Sequence, residues 1–240
     1  MILAPISLKT AGFVVLAATA PAPACPNVNA PQIGVVIAVE KAVVVHDQSI
    51  AQMRSTQMDT AVPYQMKQLG HADRGGMIQN DIKIEYSVQT SEVPGNTAET
   101  INMKCVRYDA VQVRLILKPT IFIAKDYDEK SCWYKETYEH EMSHVDMDRV
   151  VMEKYKGRLQ DGLALAFSGP QDGVQGPVKK SGVKDLKKKM GNELVNMTNS
   201  LLSDMVRERM EQQQGVDSVA NYAYIMDQCY KGTNVVRVKP

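Results

Sequence analysis

Charge imbalance is the first thing this chain lacks. Its 28 Lys and Arg against 27 Asp and Glu leave a formal net charge of +1 over 240 residues. That balance supplies no global attraction to nucleic acid or to an anionic membrane. Long apolar runs are also missing. The longest, near the N-terminus, falls short of the ~20 residues a transmembrane helix needs. Cysteine is scarce, with four residues and no CxxC pair, which argues against a cysteine-bound metal or a redox motif. Neither an internal repeat nor a low-complexity tract interrupts the chain, so a solenoid is not indicated. Histidine is as rare as cysteine, at four residues.

What remains is the composition of a soluble globular protein, 44% hydrophobic and 23% charged, with enough chain for one full core. Residues 1–24 read as an export signal. Lys9 precedes the apolar run AGFVVLAATA, and Ala22-Pro23-Ala24 supplies small residues for cleavage. The expected mature chain is a single domain, 25–240, in the periplasm or secreted, with no transmembrane segment. A cysteine directly after the cleavage point leaves lipidation of Cys25 open, although the preceding residues lack the usual leucine and include a proline. In an oxidising compartment Cys25, Cys105, Cys132 and Cys229 imply two disulfides, with three connectivities open. Lys179, Lys180, Lys184, Lys187, Lys188 and Lys189 read as a solvated helix face.

Periodicity divides the chain into a strand-rich half and a helical half. Residues 33–46 are rich in β-branched side chains and predict one or two strands. A short helix is expected near 49–58, then a loop through Pro63 and Gly70. In 81–89, Ile82, Ile84, Tyr86 and Val88 alternate with Lys83, Glu85 and Ser87, the pattern of a half-buried strand. Pro94-Gly95-Asn96 marks a turn. Val111, Val113, Leu115 and Leu117 alternate with polar residues, and Ile121-Phe122-Ile123 follows Pro119, giving two more expected strands. The region 81–124 is therefore expected as an antiparallel sheet with one packed face. The period then becomes helical over 131–167, breaks at the loop SGPQDGVQGP, and resumes over 183–214, where Leu186, Met190, Leu194, Met197, Leu201 and Met205 form a stripe. A short element at 217–230 closes an α+β chain.

The chemistry concentrates in His140-Glu141-Met142-Ser143-His144. Two histidines four apart on a helix project their rings from one face about a turn apart, which suits two imidazole ligands on one zinc ion. Glu141 can then reach a metal-bound water without being a ligand, and act as general base. Chance supplies HExxH to on the order of 1% of chains of this length, and here it falls on an expected helix, the context the chemistry requires. The competing reading makes both histidines packing residues on a face shared with Met147, Val151 and Tyr155.

A catalytic zinc needs a third protein ligand. Asp217 is ranked first, Glu193 second, and Asp148, one turn beyond His144, is better suited to support a ligand than to be one. Each acid also has a plainer role: Asp217 as a helix cap, Glu193 as a solvated edge residue, Asp148 in an ion pair. Tyr222 is the expected hydrogen-bond donor to an oxyanion, with Tyr224 as alternate. His46 and His71 lack partners at ligand spacing.

From about Val111 to Tyr155 the order of alternating strand, proline, second strand, cysteine and HExxH helix resembles zincin-type secreted bacterial metalloproteases. It resembles in particular an uncharacterised family of Zn-dependent proteases, to whose pattern Cys105, His140, Glu141 and His144 correspond, and Asp146 an acidic residue after the second histidine. The resemblance implies a zincin-like fold and peptidase activity. Glu193 is similar to the downstream glutamate of gluzincins, and Asp217 with Tyr222 to the aspartate-then-tyrosine element of aspzincins. The metzincin extension is absent, since Val145-Asp146-Met147-Asp148-Arg149 follows His144. A peptide substrate is expected to add to an edge at 111–118 or 120–124. Two other readings share the residues: a non-catalytic exported metal-binding or envelope scaffold protein, and a zinc amidase acting on cell-wall material.

Overall fold

The computed structural model describes residues 24–55 and 75–231. The expected leader, except Ala24, and the loop through Pro63 and Gly70 lie outside the described residues, as does His71. The elements run β1 (Gln32–Val39), β2 (Val43–Val45), α1 (Ile50–Ser55), β3 (Gly76–Pro94), β4 (Lys104–Ile123), α2 (Cys132–Ala166), β5 (Val174–Val178), a 3-10 turn (Lys180–Gly182), α3 (Val183–Val216) and α4 (Val219–Lys231). The protein is α+β.

Strand β4 is the axis of the sheet. β3 pairs with it antiparallel along nearly its whole length, from Gly76 opposite Ile123 to Pro94 opposite Lys104. The other side of β4 is shared by β5, β1 and β2 in turn. The antiparallel pairing expected over 81–124 is present as β3–β4. Both β1 and β2, however, run parallel to β4, which corrects the expectation that the N-terminal sheet as a whole is antiparallel. Among the described residues it is mixed, with antiparallel pairing at β3–β4 and β4–β5. Because β3 fills one edge of β4, the earlier strands have only the other edge. Strand direction leaves no mark on a period-2 pattern, so alternation alone could not reveal it.

The two strands expected around Pro119 are one. β1 pairs as far as Leu117 and β2 begins opposite Thr120, so Pro119 falls where the parallel ladder is already interrupted and its missing N–H is tolerated. β4 is paired on both sides, which also corrects the expectation that 111–118 or 120–124 offers an edge; the outer side of β3 is a free edge of the sheet among the described residues.

β5 was hidden inside the breaker-rich loop. Gly176 there has φ +125, and a Cβ would lie 2.9 Å from the Lys104 carbonyl oxygen and 3.0 Å from Cys105 Cα. Only glycine combines that backbone angle with so close an approach, so the residue that signalled a loop is what lets β5 dock.

The apolar stripe of the sheet faces the two long helices. Val111, Val113, Leu115 and Leu117 of β4 are fully buried with Val151, Leu159 and Leu163 of α2 and Met190, Leu194 and Met205 of α3. Ser131 caps α2, its hydroxyl accepting from the Tyr134 N–H at 3.1 Å. α2 and α3 lie antiparallel, so Leu163 meets Leu201 while His144 meets Gln213. This direction decides the site: the early half of α2 meets the end of α3.

Two disulfides close the structure, Cys25–Cys105 and Cys132–Cys229. The first ties the start of the described chain to β4, and leaves the Cys25 sulfur no valence for a lipid thioether. The second joins the first residue of α2 to the end of α4. No described helix is long and apolar enough to cross a membrane.

Candidate metal centre

His140 and His144 leave the same face of α2, with ring centroids 5.1 Å apart. α3 ends opposite them at Val216, and Asp217 at its C-cap leaves the helical conformation (φ −78, ψ 33). The cap turns its carboxylate towards α2. Asp217 Oδ1 lies 3.3 Å from His140 Nε2 and 3.1 Å from His144 Nε2. The Tyr222 hydroxyl, one turn into α4, donates to the same oxygen at 3.0 Å, and its ring packs 4.9 Å from that of His140. The side chains of His140, His144 and Asp217 are 7%, 5% and 17% exposed, so little water competes for these atoms.

One ligand atom from each of His140, His144 and Asp217 lies within 4.8 Å of the other two. Two imidazole nitrogens and one carboxylate oxygen, converging in a nearly dry spot, can hold a metal ion, and three protein ligands leave a position open for a reactant. The electrostatics agree. Burial alone would raise the Asp217 carboxyl, but hydrogen bonds from His140 and His144, the His144 charge and the Tyr222 hydroxyl hold it well below the usual carboxylate range. Burial likewise opposes a charged His144. The hydrogen bond to Asp217, the nearby Glu141 and Asp217 charges and Gln213 outweigh it and raise that imidazole above its ordinary value.

Glu141 is buried, 5% exposed. The first residue of β3 lies against it: a Cβ on Gly76 would be 2.7 Å from Glu141 Oε1 and 2.2 Å from Thr137 Cγ2. A glycine there lets the strand cross the helix at the glutamate.

The remaining candidates are elsewhere. Glu193 accepts from Gln175 and pairs with Lys189 at 3.6 Å, roughly 36 Å from Asp217 along α3 at ~1.5 Å per residue. With burial, its charge helps push the Tyr108 phenol up to about 12. Asp146 makes an exposed ion pair with Arg149. Tyr224 is 60% exposed, and His46 Nε2 bonds the Ala124 carbonyl at 2.9 Å. Asp148 is fully buried one turn beyond His144. It accepts from Arg209 Nε at 2.7 Å, from Asn80 Nδ2 at 2.6 Å and from Gln213 Nε2 rather than from a histidine ring.

No protein-family model matches the chain, and comparison with curated proteins and with solved structures finds no match.

Of the polar residues behind the ligands, Gln213 and Arg209 are not among those that the motif spacing singles out. Gln213 Oε1 lies against His144 Nδ1, and Gln213 Nε2 donates to the His144 carbonyl at 3.0 Å. A signal was there. Arg209, Gln213 and Asp217 recur every fourth residue, on a helix whose upstream residues Leu202 and Met205 are buried. Polar side chains that continue a buried stripe need partners, and His140, His144 and Asp148 carry the same spacing on α2.

Proposed function

We propose that the protein is a zinc-dependent hydrolase of amide bonds, a peptidase with a zincin-like active site, acting outside the cytoplasm. The observation that carries this reading is the convergence of His140, His144 and Asp217 beside a buried Glu141 on the same helix. The donor set fits: N, N and O ligands with three protein positions are those of catalytic rather than structural zinc, which takes four. Bound zinc would supply a lowered pKa for water and stabilisation of a developing oxyanion.

The chain supplies the rest. His140, His144 and Asp217 would hold the metal. Glu141 takes the proton from the attacking water and returns it to the leaving amine. The Tyr222 hydroxyl, which donates to Asp217, is the donor for a substrate oxyanion. The outer edge of β3, whose first residue lies against Glu141, is a suitable rail for an extended peptide. Two disulfides support an oxidising compartment.

Zinc content by elemental analysis and hydrolysis of an unstructured protein test the reading together. Wild type should hold one zinc and cleave. Glu141→Gln should hold the zinc and lose turnover. Cleavage retained in Glu141→Gln would remove the mechanism, and zinc content unaffected by His140→Ala or His144→Ala would remove the site.

A further inference from the structure

We infer that Gln213 is a positioning residue, one whose side-chain amide holds the His144 ring with a hydrogen on Nδ1 and leaves Nε2 to face Asp217 and His140. The role rests on the metal-site reading of those three residues. An amide alone is ambiguous, because its oxygen and NH2 have similar shapes and exchange by a half turn. The surroundings of Gln213 remove the ambiguity. One end faces the His144 backbone carbonyl at 3.0 Å and Asp148 Oδ1. A carbonyl only accepts, and Asp148 already receives hydrogens from Arg209 at 2.7 Å and Asn80 at 2.6 Å. That end of the amide is therefore the NH2. The other end, Oε1, meets His144 Nδ1, and only an N–H at that nitrogen makes a bond.

The orientation is built into the scaffold. Asp148 is 0% exposed and Gln213 7%, so water cannot substitute for either partner at little cost. Asn80 comes from β3, Asp148 from α2 and Arg209 from α3, so the three elements that frame the site also set the tilt of one ring. A histidine ligand bound through one nitrogen commonly donates its other N–H to an oxygen that fixes its orientation. Here the oxygen is an amide's, and the carboxylate stands one bond further back. The arrangement orients the ring without bringing the Asp148 carboxylate itself against it.

The test is an NMR measurement of the His144 ring together with zinc affinity by competition with a chelator. In wild type, metal-free and loaded with one zinc equivalent, His144 should show an Nδ1–H that exchanges slowly with solvent. Gln213→Met should lose that slow exchange and bind zinc about 10–100-fold more weakly. Gln213→Glu, which keeps an oxygen opposite Nδ1, should recover part of both. A wild-type His144 with no hydrogen on Nδ1 overturns the inference, as does Gln213→Met with exchange and zinc affinity unchanged. Should Gln213→Met not fold, the wild-type resonance and Gln213→Glu decide. A protected Nδ1–H in a wild-type protein that takes up no zinc would instead overturn the metal-site reading.

Discussion

Asp217 Oδ1 stands 3.1 Å from His144 Nε2 across 73 residues of sequence. The contact exists because two helices present matched faces in opposite directions. His140, His144 and Asp148 rise along α2 at four-residue steps, and Asp217, Gln213 and Arg209 descend along α3 at the same step. His140 and His144 meet Asp217, while His144 and Asp148 both meet Gln213 and Asp148 also meets Arg209.

The third ligand can be distinguished from its rivals by content alone. Asp217→Ala should empty the site of zinc in elemental analysis, whereas Glu193→Ala should keep a full equivalent, since Glu193 contacts Gln175 and Lys189 instead. Asp148→Ala should keep zinc but bind it about 10–100-fold more weakly, through loss of support to Gln213. An emptied Glu193→Ala would contradict this assignment.

Both long helices and the antiparallel pairing within 81–124 were legible in the sequence, and the placement of β1, β2 and β5 was not, for different physical reasons. Expected bounds of 131–167 and 183–214 became Cys132–Ala166 and Val183–Val216, because apolar stripes and breakers act locally. The parallel placement of β1 and β2 depends on which edge of β4 remained open, and that is a tertiary fact. In the sequence β5 has the pattern of a loop, because Gly176 and Pro177 are breakers in most settings. Here the glycine answers a steric demand from Cys105 and Lys104. The two histidines and Glu141 could be read from spacing. The four-residue spacing of Arg209 and Gln213 marks them as polar residues on a buried stripe. Their partners, like those of Asn80, could not be read, since these depend on the antiparallel packing of α2 and α3 and on β3.

The glycine at the start of β3 should be intolerant of even one methyl group. In Gly76→Ala the new Cβ would lie 2.2 Å from Thr137 Cγ2, and overpacking of this kind costs about 1–3 kcal/mol. Thermal unfolding should show that loss. Thr137→Ser removes the nearest obstructing methyl, so the double variant should regain part of it and keep the loss due to Glu141 Oε1, 2.7 Å from the same Cβ. If Gly76→Ala unfolds at the wild-type temperature, β3 does not cross α2 this closely.

The two disulfides should differ in what they protect. Either is expected to contribute about 2–4 kcal/mol to stability. Only Cys132–Cys229 ties down α4, which carries Tyr222 and immediately follows Asp217, and which among the helices packs on α2. The Cys132→Ser/Cys229→Ser double variant should therefore weaken zinc binding, measured at a temperature where both variants remain folded. Cys25→Ser/Cys105→Ser should not. Equal zinc affinities would mean that the bond holds the fold and leaves the ligands alone.

Metal-free protein and zinc-loaded protein should respond to pH in opposite senses. Without metal, Asp217 is shifted below its ordinary 3.8 and His144 above its ordinary 6.5. The lowered Asp217 stabilises the fold above about pH 3.8, an advantage lost as pH falls through its folded value. The raised His144 stabilises it below about 6.5, an advantage lost as pH rises through its folded value. In chelator, the stability gap between wild type and Asp217→Asn should therefore be widest at about pH 4–6.5. Zinc requires an unprotonated nitrogen on each imidazole, so its affinity should fall as pH drops through the raised His144 value and recover above it. Thermal unfolding across pH with chelator, then with one zinc equivalent, measures both. A zinc-induced increase in melting temperature that is as large at pH 5 as at pH 8 would mean that His144 does not give up a proton to the metal.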